Sequence, residues 1–206
     1  MSLAVRLVKL VFGLCLFGVG IWLGLQARLG VGPWDVLHGG LADKLGLPFG
    51  RTAIGVSVVV LLIALAAKVR PGIGTVLNVV LIGVVIDVML GTGLLDGVGD
   101  GPMALRLLTT ATGIVSVACG SALYLGAHLG PGPRDGLMVA IHERTGWPVG
   151  AARAALECSV LVLGVLLGGP VGIGTIAFAL GIGPTMQLAF RVLGQTPIGR
   201  TVEVPL

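Results

Sequence analysis

The stretch "GVGPWDVL" at residues 30–37 recurs as "GPGPRDGL" at residues 130–137. Subtracting 100 from the numbers of the second half aligns it with the first half without gaps, so that "GIGT" at 72–75 falls on "GIGT" at 172–175. Apolar residues could agree through composition alone. Agreement at glycines and prolines indicates instead that one structural unit is repeated twice along the chain.

The composition is that of a membrane protein. Of the 206 residues, 55% are hydrophobic and 11% are charged, whereas a soluble domain carries about 25% charged residues. We therefore expect the lipid bilayer to surround the protein. The net charge of +4 does not indicate a nucleic-acid partner, because the basic residues lie at the ends of apolar runs and form no stripe.

Each repeat contains three long apolar segments, and a spanning helix needs about 20 apolar residues. The segments lie at about 7–27, 52–67 and 74–95 in repeat 1 (about 7–95), and at about 107–127, 154–169 and 171–190 in repeat 2 (about 107–190). The middle segments are short and reach spanning length only if their helices start earlier, at "GRTA" and "GAARAA". The sequence thus predicts an all-α integral membrane protein with six transmembrane helices in a single membrane domain, 1–206.

Three crossings per repeat is an odd number, so the second repeat must start from the opposite face of the membrane. This predicts two inverted three-helix repeats, the construction of many secondary transporters. In this topology nine of the 13 lysines and arginines fall on the face that carries both termini. Because basic residues favour the cytoplasmic side, we expect both termini in the cytoplasm and residues 95–102 outside.

The repeated phrase itself predicts a short helix in each repeat. Proline is favoured at the first helical position and glycine just past the end of a helix. The predicted cap, first residue and terminator are Gly32, Pro33 and Gly46 in the first copy, and Gly132, Pro133 and Gly146 in the second. About 12 residues make a helix of about 18 Å, which is too short to cross about 30 Å of hydrocarbon.

These short helices either lie on the membrane surface or enter it partway and return. "GLMVAI" at 136–141 has no polar face, which favours a re-entrant half-helix over a surface helix. With inverted repeats, the two half-helices would meet near the midplane. Their positive N-terminal ends would then point at one shared site.

Candidate ligand-binding residues occupy the first turn of each short helix. Asp35 and Asp135 are candidate proton or cation ligands, with helix capping as the alternative role. Trp34 and Arg134 occupy equivalent positions but differ in chemistry, which predicts a site with an aromatic wall and an anion-pairing wall. The alternative is an interfacial tryptophan and an arginine that sets topology.

Three further candidates lie outside the first turns. Asp87 is an ionisable residue within an apolar run, and such residues are usually functional or paired; a position near the membrane surface is the alternative. Its counterpart is Gln187. Asn78 and His38 have helix packing as their alternative role. The full predicted substrate-binding set is Gly32, Pro33, Trp34, Asp35, His38, Asn78, Asp87, Gly132, Pro133, Arg134, Asp135 and Gln187.

No enzyme signature is present in the sequence. It has no phosphate-binding glycine loop with lysine and no metalloprotease motif, and the three cysteines and three histidines lack metal-ligand spacing. We therefore expect no catalysis, no cofactor and no metal. Arg153 and Glu157, four residues apart, predict an ion pair on one helix face, and Thr75 and Thr175 predict helix caps.

"GPWDVLHGGL" at 32–41, followed by "RPGIGTVLNVVLIGVVID" at 70–87, resembles the YczE/YitT-like bacterial integral membrane proteins. The resemblance covers about residues 10–190 and is looser in the second repeat, where Arg134 replaces tryptophan. It implies a multi-pass protein of the bacterial inner (plasma) membrane. It implies no mechanism.

The function expected from these features is transport of a small molecule or an ion. Two alternatives stay open: a passive aquaporin-like channel, and a non-transporting accessory or regulatory membrane protein. Arg134 and the helix N-termini favour an anion or zwitterion as substrate, whereas the aspartates favour a cation or proton. A homo-oligomer is also left open.

Overall fold

A computed structural model describes residues 2–69 and 71–195, and this part of the chain is helical without strands. The helices are α1 (Leu3–Ala27), α2 (Pro33–Leu45), α3 (Phe49–Ala66), α4 (Ile73–Gly91), α5 (Met103–Leu125), α6 (Pro133–Thr145), α7 (Val149–Leu166) and α8 (Ile173–Val192). A short 3-10 turn, Val98–Asp100, lies between α4 and α5. The predicted all-α class is confirmed.

Six of these helices are long and apolar enough to cross a membrane: α1, α3, α4, α5, α7 and α8. They have 18 to 25 residues, or about 27–38 Å at 1.5 Å per residue. The two middle spans start before their apolar residues, at Phe49 and Val149, as the sequence required. Large apolar side chains such as Leu166 and Leu180 are exposed on the outside of the bundle, where lipid would cover them.

The centre of the bundle is an antiparallel pair formed by α1 and α5. A Cβ atom on Gly13 would lie 2.9 Å from the carbonyl oxygen of Gly120, and one on Gly20 would lie 2.7 Å from that of Gly113. Residue 13 therefore lies opposite 120, and residue 20 opposite 113, which makes the helices antiparallel. Small residues permit this close backbone approach in membrane helices.

Equivalent segments of the two repeats make equivalent contacts with the other half of the molecule. The Gly174 N–H donates to the Leu29 carbonyl, and the Gly74 N–H donates to the Leu129 carbonyl, both at 2.7 Å. In the same way α2 packs on α7, and α6 packs on α3. Each short helix thus packs against a spanning helix of the opposite repeat.

Two arginines at equivalent positions repeat this exchange. The Arg106 guanidinium donates from Nε to the Ala27 carbonyl at 3.0 Å, at the end of α1. The Arg6 guanidinium donates from Nε to the Ala127 carbonyl at 2.8 Å, just after α5. Both side chains supply donors to carbonyl groups that a helix end leaves unpaired.

The short helices begin and end where the sequence predicts. Gly32 and Gly132 are the N-caps, and a proline is the first helical residue in each case. Each helix ends before a glycine in the left-handed conformation, with φ +64° at Gly46 and +71° at Gly146. These boundaries follow from local backbone chemistry alone.

The chain before each short helix runs inward along a spanning helix of the other repeat. Gly30 has φ +98°, and a Cβ there would overlap Gly172, just before α8. Two residues later, a Cβ on Gly32 would lie 2.8 Å from the Phe178 ring. Two extended residues reach about 7 Å, so the loop runs inward along the first turns of α8. The second copy repeats this course along α4.

The halves differ in the packing of their second and third spans. Gly50 and Gly83 bring α3 and α4 into backbone contact, and a Cβ on Gly83 would lie 2.5 Å from the Gly50 carbonyl oxygen. Their counterparts, Gly150 and Gly183, would have no atom within 4 Å of an added Cβ. Among the described residues, α7 and α8 do not pack closely as α3 and α4 do. The second half is therefore more open than the first.

Candidate functional site

The two copies of the repeated phrase meet in the middle of the bundle around two neighbouring cavities. The α4 cavity is lined by residues of α1, α3 and α4 and by the N-terminal parts of α2 and α6. The α8 cavity lies against α5, α7 and α8. Four residues line both: Phe17, Trp34, Asp35 and Arg134. We refer to the two cavities together as the central site.

The N-terminal half of α2 places an acidic and an imidazole side chain in the central site. Asp35 is only 7% exposed and His38 only 8%, and the Asp35 Oδ1 to His38 Nδ1 distance is 3.4 Å. Neither ring nitrogen of His38 has a hydrogen-bond partner among the described residues. Buried polar atoms are normally paired, so this side chain has unused hydrogen-bonding capacity next to the cavity.

The first turn of α6 places a cation opposite. The Arg134 guanidinium stacks over the Phe17 ring, 5.3 Å from its centroid, a favourable cation–π arrangement. Within the described part of the chain, no carboxylate lies within 4 Å of its nitrogens. Arg134 is thus held by an aromatic face while its N–H donors are left without an ion-pair partner.

Asp135 is tied to the central pair of helices. Its Oδ2 accepts a hydrogen bond of 2.9 Å from the Tyr124 hydroxyl, and the Tyr124 ring packs edge-on against Phe17. Tyr124 lines the α8 cavity but was absent from the predicted set. It is the only tyrosine of the chain and lies in an apolar run opposite Gly24 in the repeat, which was the available signal.

The predicted pair of Arg153 and Glu157 is confirmed, with 3.0 Å between Nε and Oε1. The pair was not among the predicted substrate-binding residues. In the structure both side chains line the α8 cavity. Their charges therefore belong to the electrostatics of the central site.

Asp87 caps a helix in the structure. Its two carboxylate oxygens accept hydrogen bonds from the backbone N–H groups of Gly50 at 2.6 Å and Arg51 at 3.0 Å. Those N–H groups lie in the first turn of α3 and have no intrahelical partner. Asp87 lines neither cavity of the central site, so the structure does not bring it together with the other predicted residues.

Gln187 also lies away from the central site. Its side chain is exposed on α8, and it lines neither cavity. Since α7 and α8 do not pack together, no helix start lies beside Gln187 as α3 lies beside Asp87. The structure therefore does not bring Gln187 together with the other predicted residues.

The remaining predicted residues are brought together. Asn78 lines the α4 cavity, and a Cβ on Gly132 would lie 3.2 Å from its Oδ1. Nine of the twelve predicted residues line one or both cavities of the central site: Gly32, Pro33, Trp34, Asp35, His38, Asn78, Pro133, Arg134 and Asp135. Gly132 lines neither cavity and lies against Asn78.

The predicted threonine caps hold these glycine-rich turns in place. Thr75 Oγ1 accepts from the Gly72 N–H at 3.1 Å and donates to the Pro131 carbonyl at 2.7 Å. Thr175 Oγ1 accepts from the Gly172 N–H at 3.2 Å. Through Pro131, Thr75 links the start of α4 to the loop that leads into α6.

Over the described residues, no group of three or more histidine, cysteine, aspartate or glutamate side chains could hold a metal ion. The central site contains both carboxylate and guanidinium groups. Aromatic rings and the N-termini of two helices surround these groups. Such a set can bind a small polar molecule through hydrogen bonds and ion pairs.

Comparisons with known proteins agree with the membrane character. An uncharacterized protein of Haemophilus influenzae is 38% identical over 190 residues, which cover 91% of this chain and 84% of that protein. The uncharacterized membrane protein YczE of Bacillus subtilis is 35% identical over 172 residues, or 82% of this chain and 77% of that protein. The predicted resemblance to YczE is thus confirmed.

A more distant relative, the uncharacterized protein YyaS of Bacillus subtilis, is 28% identical over 165 residues, covering 80% of this chain and 82% of that protein. No solved structure matches. The model of a family of unknown function, DUF6198, matches residues 4–191. The chain is a membrane protein that belongs to the DUF6198 family.

Proposed function

We propose that the protein transports a small molecule or ion across the bacterial inner membrane through the central site. The observation that carries the proposal is the convergence of both copies of the repeated phrase on the two neighbouring cavities of one charged central site. Charged side chains among membrane-spanning helices are costly and usually serve a function. An accessory protein would have no use for this arrangement.

The proposal includes two inverted repeats. It is supported by the antiparallel packing of α1 and α5, which are equivalent helices of the two repeats. The exchanged hydrogen bonds of Leu29 with Gly174 and of Leu129 with Gly74 also support it. Such reciprocity is expected when two similar units are related by a pseudo-two-fold axis in the membrane plane.

The proposal also makes α2 and α6 re-entrant half-helices. Along α2, Trp34 packs with Val160 of α7, whereas a Cβ on Gly40 would meet Gly169, beyond the end of α7. The helix thus runs from the middle of α7 to its end. Leu29 bonds to the start of α8 on that same side, so the chain would enter and leave at one face.

The difference between the halves favours a transporter over a passive channel. Alternating access requires two arrangements of similar units, and here α3 and α4 are closed while α7 and α8 are open. Pro184 within α8 lacks the N–H that would bond to the preceding turn, which makes α8 easier to bend. With both termini in the cytoplasm, as we propose, Gly150 lies near the cytoplasmic end of α7. The loose packing of α7 at Gly150 would then lie on the cytoplasmic side.

The proposal is tested by uptake into proteoliposomes that contain the purified protein. The vesicles are exposed to an isotopically labelled extract of bacterial metabolites, and their contents are measured by mass spectrometry. We expect at least one metabolite to accumulate with the wild type and with the control variant Asp100→Asn. It should not accumulate with Arg134→Gln or in empty vesicles.

Asp100 is a suitable control because its side chain is 74% exposed and pairs with Arg28 outside the central site. Contents equal to those of empty vesicles, measured with correctly folded wild-type protein, would contradict the proposed transport.

A further inference from the structure

We propose that the ligand of the central site is a small zwitterion whose carboxylate lies on Arg134 and whose ammonium group lies on Asp35. The inference rests on the proposed function, since it assumes that the central site binds the transported molecule. Some charged groups of the central site already have partners. Asp135 accepts from Tyr124, and Glu157 pairs with Arg153. Arg134 and Asp35 are the charged groups that both cavities share.

The Arg134 end of the site fits a carboxylate. A guanidinium stacked on an aromatic ring keeps its edge donors free for a planar, bidentate partner. Arg134 has this stacking on Phe17. It also lies in the first turn of α6, where the helix dipole favours negative charge.

The Asp35 end of the site fits an ammonium group. A buried carboxylate needs donors, and a primary ammonium supplies three N–H groups. His38 lies 3.4 Å from Asp35, and its buried ring nitrogens are unpartnered in the described structure. A neutral imidazole offers one acceptor nitrogen. One ammonium could therefore donate to Asp35 and His38 together and satisfy both.

The charge balance favours a ligand without net charge. Three carboxylates and two guanidinium groups line the central site, which leaves one net negative charge. The N-termini of α2 and α6 each contribute about half a positive charge, so the total is close to zero. An anion or a cation alone would leave one charge uncompensated in a buried place.

Most of the other residues that line the α4 cavity are apolar, which suits a hydrocarbon side chain. Its walls include Ile21, Val60, Val79, Ile82 and Ile86. Such apolar walls with a few polar groups are typical of sites that bind small molecules. A neutral amino acid with an aliphatic side chain has the required combination of groups, and L-leucine is a suitable probe.

The test compares three probes with one carbon skeleton. L-leucine has both charges, leucinamide lacks the carboxylate, and isocaproate lacks the ammonium group. Thermal unfolding of the purified protein in nanodiscs reports binding, because a ligand that binds the folded state raises its stability. We expect L-leucine to raise the unfolding temperature and to bind at least tenfold more tightly than either analogue.

Two variants locate the contacts. Arg134→Gln and Asp35→Asn should each weaken leucine binding at least tenfold, whereas the control Asp100→Asn should leave it unchanged. If a variant does not fold, the wild type alone remains decisive. Trp34 lines the site, and its fluorescence should change with L-leucine and not with the two analogues.

Equal binding of leucinamide or isocaproate would overturn the inference. L-proline and glycine serve as two further zwitterionic probes with smaller side chains. If neither they nor L-leucine bind, the inference is also overturned. These outcomes are separable from a failure of transport. Leucine binding without uptake would contradict transport and support the zwitterion site. Uptake of an inorganic ion without zwitterion binding would support transport and overturn the inference.

Discussion

Replacing Asp87 with asparagine should destabilise the protein without weakening ligand binding. The carboxylate accepts two hydrogen bonds, from the backbone N–H groups of Gly50 and Arg51. Asparagine keeps one acceptor oxygen and turns an amide NH₂ toward the other N–H, so one charge-assisted bond is lost. Such a bond contributes about 1.5–3 kcal/mol, and the lost charge at the start of α3 adds about 0.3–1 kcal/mol.

Because Asp87 is half-buried, water can replace part of the lost interaction. We therefore expect the free energy of unfolding to fall by about 1.5–3 kcal/mol. Asp35→Asn should behave in the opposite way. Asp35 lies in the first turn of α2, where Gly32 is the N-cap, so the loss of its charge should cost only about 0.3–1 kcal/mol, while ligand binding should weaken at least tenfold. The exposed Asp100→Asn control should change stability by less than about 1 kcal/mol.

The assay is reversible unfolding in bicelles, combined with ligand binding by the fraction that stays folded. Wild-type stability with impaired binding in Asp87→Asn would refute the capping role and return Asp87 to the site. A loss of stability in Asp35→Asn as large as that in Asp87→Asn would refute the division between site and cap.

Three further predictions concern the packing and the topology. Gly20→Ala should destabilise the protein by about 1–3 kcal/mol through overpacking, because its Cβ would lie 2.7 Å from the Gly113 carbonyl oxygen. The control Gly55→Ala has open space around its Cβ and should be neutral or stabilising in the same unfolding assay. Arg6→Gln and Arg106→Gln should lower stability by similar amounts, since the two side chains make equivalent bonds, and a loss in only one variant would contradict the reciprocal packing. In a background without Cys15, Cys119 and Cys158, a membrane-impermeant maleimide should label Gly97→Cys only from outside the cell, and labelling from the cytoplasm alone would reverse the orientation.

The features that the sequence predicted best are those set by local chemistry. Gly32-Pro33 and Gly46 define α2 because a helix needs a cap, a tolerated proline and a left-handed terminator close in the chain. Thr75 caps α4 for the same reason. The repeat register also identified the first-turn residues of α2 and α6 that line the central site, because equivalent phrases in the two halves occupy equivalent places.

The missed features depend on neighbours that are distant along the chain. Asp87 caps a helix start 37 residues earlier, so its sequence context showed only an ionisable residue in an apolar run. Tyr124 reaches Asp135 from another helix, and the repeat register cannot reveal it because its counterpart is Gly24. The separation of Gly150 from Gly183 could not be predicted from the repeat register. Their counterparts, Gly50 and Gly83, pack closely in the first half, so the register predicts close packing in both halves.

The central claim is that one site between the two short helices is reached from both faces of the membrane. Ser57 lines the α4 cavity near the middle of α3, and Ser57→Cys in the cysteine-free background tests the claim directly. The measurement is labelling by a membrane-impermeant maleimide in inside-out and right-side-out vesicles, with and without L-leucine. The account predicts labelling from both faces, slowed on both by L-leucine. Labelling from one face only, or from neither, in folded protein would contradict it.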